Sequence, residues 1–182
     1  MNTRELIINT ALNITAEKGW NGLLLVDVAR SCDMTFSALL EWFQDKTDIL
    51  VGYGRLLDLK TQSEMGQVDH ELPLKDNLFD ALMTRIDLLS EHRDAVVNIL
   101  KSLKCEPISG FIILPYMAHS MQKMLEICGY KPVGMRGHMA VMALGYAYLQ
   151  TLRAWMYDDS VDLSKTMAAL DKNLGYFEKA GF

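Results

Sequence analysis

Apolar side chains recur every three or four residues along almost the whole chain, and no stretch between turn signals shows the period of two expected of a half-buried strand. The pattern predicts an all-α protein. Asn2 followed by Glu5 is a capping-box-like start, and Ile7, Ile8, Ala11, Leu12 and Ile14 supply one apolar side. Gly19 ends this helix, and Trp20 is expected to fold back onto its apolar side. A short helix follows over Leu25–Ser31, then a turn at Cys32–Met34, then a helix capped by Thr35 and running to Phe43. Asp45 caps the next one, with Lys46 and Asp48 in its first turn.

Further along, Leu78, Leu82, Ile86 and Leu89 mark a helix over Lys75–Glu91, and a shorter one covers Ala95–Lys104. Val68–Leu74, where Pro73 follows a polar stretch, is the linker candidate. Two longer helices are expected at Pro115–Cys128 and Val133–Tyr157, separated by Gly129 and Pro132. Ser160 or Asp162 caps the last, in which Leu163, Met167, Leu170, Leu174 and Phe177 repeat at helical spacing. No internal repeat or low-complexity tract interrupts this order.

Composition narrows the class. The 182 residues are half apolar and 23% charged, which suits a globular chain with a substantial core and excludes a disordered one. A net charge of −5 leaves no global nucleic-acid footprint. Cys32, Cys105 and Cys128 are odd in number and lack CxxC spacing, so a reduced, cytoplasmic setting is expected in place of a disulfide framework or zinc site. The polar-apolar alternation of the first twenty residues argues against a signal peptide. The uncharged runs Pro107–Gln122 and Gly137–Leu152 fall short of the ~20 apolar residues of a membrane span, although an apolar helix could still touch lipid peripherally.

The stretch TRELIINTALNITAEKGWNGLLLVDVARSCDMTFSALLEWFQDKTDIL, residues 3–50, resembles the N-terminal domain of TetR-type transcriptional regulators. The resemblance rests on a helix ending in Gly plus an aromatic residue, a V-x-x-V-A-like second helix, and Leu39 and Phe43 followed by Lys46. It implies an all-α, TetR-like fold: a three-helix helix-turn-helix module in residues 1–46, with a ligand-binding and dimerising domain in 47–182. It also implies an operator-binding homodimer joined through the last two long helices, Val133–Tyr157 and Leu163–Glu178.

The expected recognition helix is chemically unusual. At the positions where the family places small, basic and Tyr residues stand Phe36, Ser37, Leu40, Glu41 and Trp42; Lys46 keeps the family's phosphate-contacting type. Residues 1–50 hold four basic side chains against seven acidic ones, whereas DNA binders gain most of their affinity from Lys and Arg. With Leu39 and Phe43 turned to the core, Phe36 and Leu40 are expected at the surface. Thr35, Ser37, Trp42 and Lys46 are the candidate DNA contacts, and Glu41 counts against the role.

Tyr146–Leu174 is similar to the C-terminal part of the ubiquinone-biosynthesis accessory proteins, which bind isoprenoid lipid on a TetR-like fold; the shared elements are the apolar helix, DDSVD at Asp158–Asp162 and T-x-x-x-L-D at Thr166–Asp171. The same ending occurs among TetR-type regulators, and DDSVD has a plain reading as a helix stop and restart. Eight of the twelve methionines lie from Met117 onward. Flexible, polarisable Met suits either an ordinary core or a cavity for a greasy ligand. On the second reading Phe111, Met117, Met121, Met124, Met139, Met142, Tyr146 and Trp155 line it. A regular helix cannot turn both Tyr146 and Tyr148 inward.

No HExxH, G-x-S-x-G, phosphate loop or GxGxxG pattern appears, so neither an enzyme nor a bound cofactor or metal is expected. Two functions follow: a transcriptional regulator controlled by an apolar small molecule, or a lipid-binding accessory protein that has kept the fold without DNA binding. A dimeric scaffold with a filled core is the third.

Overall fold

A computed structural model describes residues 2–66, 68–69, 71–105 and 107–182, with 107–109 described through their backbone. Among these residues there are nine helices and no strand: α1 (Thr3–Lys18), α2 (Leu25–Ser31), α3 (Phe36–Leu40), α4 (Lys46–Met65), α5 (Leu74–Ser90), α6 (Arg93–Cys105), α7 (Pro107–Ile127), α8 (Gly134–Trp155) and α9 (Ser164–Lys179). They form two compact units. The first holds the chain up to Leu57 with Leu89–Tyr116, and the second holds Asp58–Leu88 with Met117–Phe182. The linker candidate at Val68–Leu74 therefore lies within the second unit; its Pro73 immediately precedes α5, and its His70 lies outside the described residues.

In the first unit, the Asn2 side chain accepts a hydrogen bond from the Glu5 amide at 2.8 Å, and Gly19 closes α1 at φ 75°. Ile7, Ile8, Ala11 and Leu12 bury completely or nearly so, with Trp20 at 4% exposure beside them. Thr35 caps α3 by accepting from the Ala38 amide at 3.2 Å. This helix stops at Leu40, three residues short of the expected Phe43. The Trp42 and Phe43 amides both turn back to the Leu39 carbonyl, which tightens the last turn and swings Phe43 inward beside Leu39. Asp45 then accepts from the Asp48 amide while Asp48 accepts from the Gln44 amide, a reciprocal start for α4.

Two boundaries in the rest of the chain also depart from expectation. α7 begins at Pro107, not at Pro115, and runs through the inner proline. Proline at a first helical position costs nothing, because that N–H would lack a helical partner anyway. Pro115 withholds one N–H from the Phe111 carbonyl, but both residues are exposed and water can replace the missing donor. α9 begins at Ser164, with Leu163 in the left-handed region at φ 53°. Both expected caps contribute, since the Ser164 amide donates to Ser160 Oγ and Asp162 Oδ1.

The stronger cap is Asp158, which the sequence reading took only as part of a helix stop. Its Oδ2 accepts from the Thr166 amide and hydroxyl, both at 2.7 Å, and its Oδ1 accepts from the Ser160 amide at 3.1 Å and from the Ser160 hydroxyl. Thr166 is thereby buried with Leu170, Leu174 and Phe177, whereas Met167, expected in that row, is 41% exposed. At the start of α8, Gly137 lies so close to the preceding loop that a Cβ would stand 2.2 Å from the Pro132 carbonyl carbon.

Burial alone would push the Asp158 carboxyl up, but the hydrogen bonds from Ser160 and Thr166 outweigh it and hold the group well below the usual carboxylate range. Its stabilisation is then complete above the unfolded value of ~3.9 and lost as pH falls through the lower folded value. Asp158→Ala is expected to cost about 1–2 kcal/mol in urea unfolding at neutral pH, with the gap to wild type narrowing in strong acid.

Candidate functional site

The α2–turn–α3 segment is built for presentation. The Met34 amide donates to the Ala29 carbonyl at 3.0 Å and Asp33 adopts φ 52°, so the chain reverses sharply after α2. Val28, Ala29 and Leu39 bury beneath, leaving Thr35, Phe36, Ser37, Leu40, Glu41 and Trp42 on the open side. Phe36, Leu40 and Trp42 are 46%, 37% and 44% exposed, as the helical spacing predicts. The Thr35 hydroxyl oxygen is engaged as the cap of α3; Ser37 is exposed.

The module's four cations all have partners within it. Lys18 and Arg30 both meet Asp27, at 3.0 and 3.4 Å. The Arg4 guanidinium lies 4.7 Å from the centre of the Phe43 ring, and the Lys46 ammonium lies 5.3 Å from that of Trp20. Counting charges in the sequence could not reveal this pairing, because Lys18 and Asp27 belong to different helices. Lys46 occupies the first position of α4, half-buried over Trp20, so its charge is held at one place on the module.

The second unit divides the expected ligand-lining residues in two. Met121, Met124 and Trp155 are buried and Met117 is half-buried. Met139, Met142 and Tyr146 instead stand 57%, 60% and 66% exposed. The reason is the two-sidedness of α8: Ala140, Leu144, Ala147, Tyr148, Thr151 and Trp155 occupy its inner face, which turns positions 135, 139, 142, 146 and 149 outward as one stripe. Of the two tyrosines, Tyr148 faces inward and Tyr146 does not. Phe111, assigned to the same cavity, is 75% exposed on the part of α7 that belongs to the first unit.

A feature missed in the sequence lies at the centre of the second unit. Arg85 on α5 is 5% exposed. Its Nη1 donates to Asp58 on α4 at 2.5 Å and its Nε donates to the Tyr148 hydroxyl at 3.1 Å. Ser120 on α7 also donates to Asp58 Oδ1. Burial raises the Tyr148 phenol above its ordinary value, so it remains a neutral acceptor for Arg85. Asp58 and Ser120 also border a recess of about 30 Å³ with Gln62, Lys123 and Met124, room for roughly one water. Larger open grooves of about 460 Å³ and 510 Å³ run beside Lys75, Phe79 and Met167, and beside Leu72, Asn77 and Tyr130.

Structural comparison gives this arrangement a context. A TetR transcriptional regulator from Nitrosomonas europaea superposes with a TM-score of 0.78 at 18% identity, covering 97% of this chain and 98% of that one. The fold is the TetR-type regulator fold. Similar too are a TetR transcriptional regulator from Rhodococcus sp. RHA1 (TM-score 0.68, 12% identity, 96% and 94% covered) and a TetR-family regulator from Streptomyces coelicolor (0.63, 11%, 98% and 83%). No protein-family model and no curated protein matches the chain.

Removing one member of the buried pair strands the other in the interior. Asp58→Leu and Arg85→Leu are each expected to cost about 3–5 kcal/mol in urea unfolding, and the double variant clearly less than the two losses together. A double variant that simply adds would show that the two side chains do not interact.

Proposed function

We propose that the chain is a homodimeric DNA-binding regulator of the TetR type, with residues 1–46 as the reading module and 47–182 as the effector and dimer domain. The observation that carries this reading is the intact helix-turn-helix presentation within a fold matched over nearly its full length to solved TetR regulators. Thr35, Ser37 and Trp42 meet the duplex from the open side of α3, and Lys46 meets a phosphate from the start of α4. Met117, Met121, Met124 and Trp155 receive an apolar effector. The outward stripe of Met139, Met142 and Tyr146 on α8 pairs with its copy, together with α9. Effector binding then biases the dimer between half-site spacings.

One observation favours the second reading, a lipid-binding accessory protein without DNA binding: the open side of α3 exposes Phe36, Leu40 and Trp42, and no Lys or Arg lies on α3. A single titration separates the two. Fluorescence anisotropy with the gene's own upstream duplex and a random duplex, at low and near-physiological salt, is expected to give preferential, salt-weakened binding to the former. Lys46→Ala should weaken it and reduce the salt slope by about 1. Absence of binding even at low salt would sink the regulator, and an isoprenoid or fatty species in a solvent extract would then support the accessory role.

The dimer seam has its own check. Tyr146→Glu places a carboxylate within an apolar stripe and is expected to convert the dimer to monomer in sedimentation equilibrium, with helicity unchanged. A dimer that survives this change would move the seam elsewhere.

A further inference from the structure

Neither proposed activity uses the first half of α7. Phe111, Ile112, Leu114 and Tyr116 are 75%, 51%, 43% and 45% exposed, and Pro115 beside them is exposed as well. Exposed positions that fall so close together leave a whole side of the helix apolar. Contiguous apolar surface of this kind on a folded chain marks a contact, since isolated surface hydrophobics are ordinary but clusters are rare. The patch belongs to the first unit, and the outward stripe of α8 belongs to the second.

Its charge surroundings indicate the occupant. Between Ala95 and Tyr116 the chain carries Lys101 and Lys104 against one acid, Glu106, although the protein as a whole is acidic. Lys101 and Lys104 are exposed in the last turns of α6, just before α7 begins, and the Arg55 guanidinium lies 5.9 Å from the centre of the Tyr116 ring. An apolar, aromatic-bearing helix with Arg55 beside it and two exposed lysines on the helix that precedes it complements an anionic lipid surface. We infer that the first half of α7 docks the protein on an anionic bilayer, with Phe111, Ile112 and Leu114 entering the headgroup–acyl boundary and Lys101, Lys104 and Arg55 meeting lipid phosphates.

The depth of insertion follows from the backbone. Pro115 has no N–H for the Phe111 carbonyl, so that oxygen must keep water or headgroup donors, which the interface supplies and the hydrocarbon interior does not. Among the described residues no helix is long and apolar enough to cross a membrane, consistent with a helix lying in the surface plane. The contact is shallow and gains from acidic lipid, so its strength should fall as salt rises.

Co-sedimentation with phosphatidylcholine vesicles, with and without phosphatidylglycerol, tests this directly. The full chain is expected to pellet several-fold more with the anionic vesicles. Phe111→Ser with Ile112→Ser should abolish the pelleting, and Lys101→Glu with Lys104→Glu should erase the preference for phosphatidylglycerol. Val161→Ser, a change at a fully exposed apolar position outside α7 and α8, serves as the control and should leave lipid binding intact. Folded wild-type protein that ignores anionic vesicles would overturn the inference. If the Phe111→Ser, Ile112→Ser variant also lost mass in sedimentation equilibrium, the patch would be a contact between copies and the lipid role would fall. The outcome is read independently of DNA titration, so loss of either leaves the other standing.

Discussion

A guanidinium out of reach of water must be met by oxygen, and Arg85 imposes that demand on the second unit. Its Nη1 and Nε are answered by Asp58 from α4 and Tyr148 from α8, while Ser120 from α7 completes the carboxylate's partners. Four helices therefore cannot slide past one another without stranding a buried charge or donor. Apolar contacts surrounding the cluster, such as Leu82, Ile86, Met121 and Leu144, supply most of the burial. They tolerate small shifts far better than a paired ion does, so the cluster sets the register and the apolar side chains fill it. The place where an effector is proposed to enter is thus bordered by charge as well as by methionine.

The segment from α1 to the start of α4 is held differently. Its fold is held by ordinary means, with Leu39, Phe43, Trp20 and the aliphatic face of α1 inside, and with its cations turned to intramolecular use. Asp27 draws in both Lys18 and Arg30, Phe43 holds Arg4, and Trp20 holds Lys46. Exposed ion pairs and cation–π contacts of this kind each add little stability. The open side of α3 carries Phe36, Leu40 and Trp42, so its chemistry leans toward apolar contact.

Helix α8 shows how one element serves two surfaces. Small residues at Gly137, Ala140, Gly145 and Ala147 allow close packing inward, while bulky side chains at 135, 139, 142, 146 and 149 are turned outward at near-heptad spacing. Among the described residues the inner side of α8 is covered, by α9 foremost, while the outer stripe stays exposed. The apolar first half of α7 has the same one-sided character in the first unit, with an aromatic surface and nothing acidic in the residues that carry it.

Much of the helix order was legible in the residues because local chemistry decided it. Asn2, Thr35 and Asp45 are caps wherever they stand, Gly19 is a stop, and Leu78, Leu82, Ile86 and Leu89 fall on one face through spacing alone. The exposure of Phe36 and Leu40 followed from the same geometry once Leu39 and Phe43 were turned inward. Where the sequence reading failed, the deciding neighbour lay far along the chain or was solvent. α7 runs through Pro115 on an exposed stretch where water can replace the N–H that the Phe111 carbonyl loses; α9 is capped from eight residues back by Asp158; and Met139, Met142 and Tyr146 face outward because the other side of α8 is already taken. Periodicity says which residues share a face and not which of two apolar faces will be covered. That choice, like the meeting of Arg85 with Asp58 and Tyr148 across 27 and 63 positions, is made only when the helices pack.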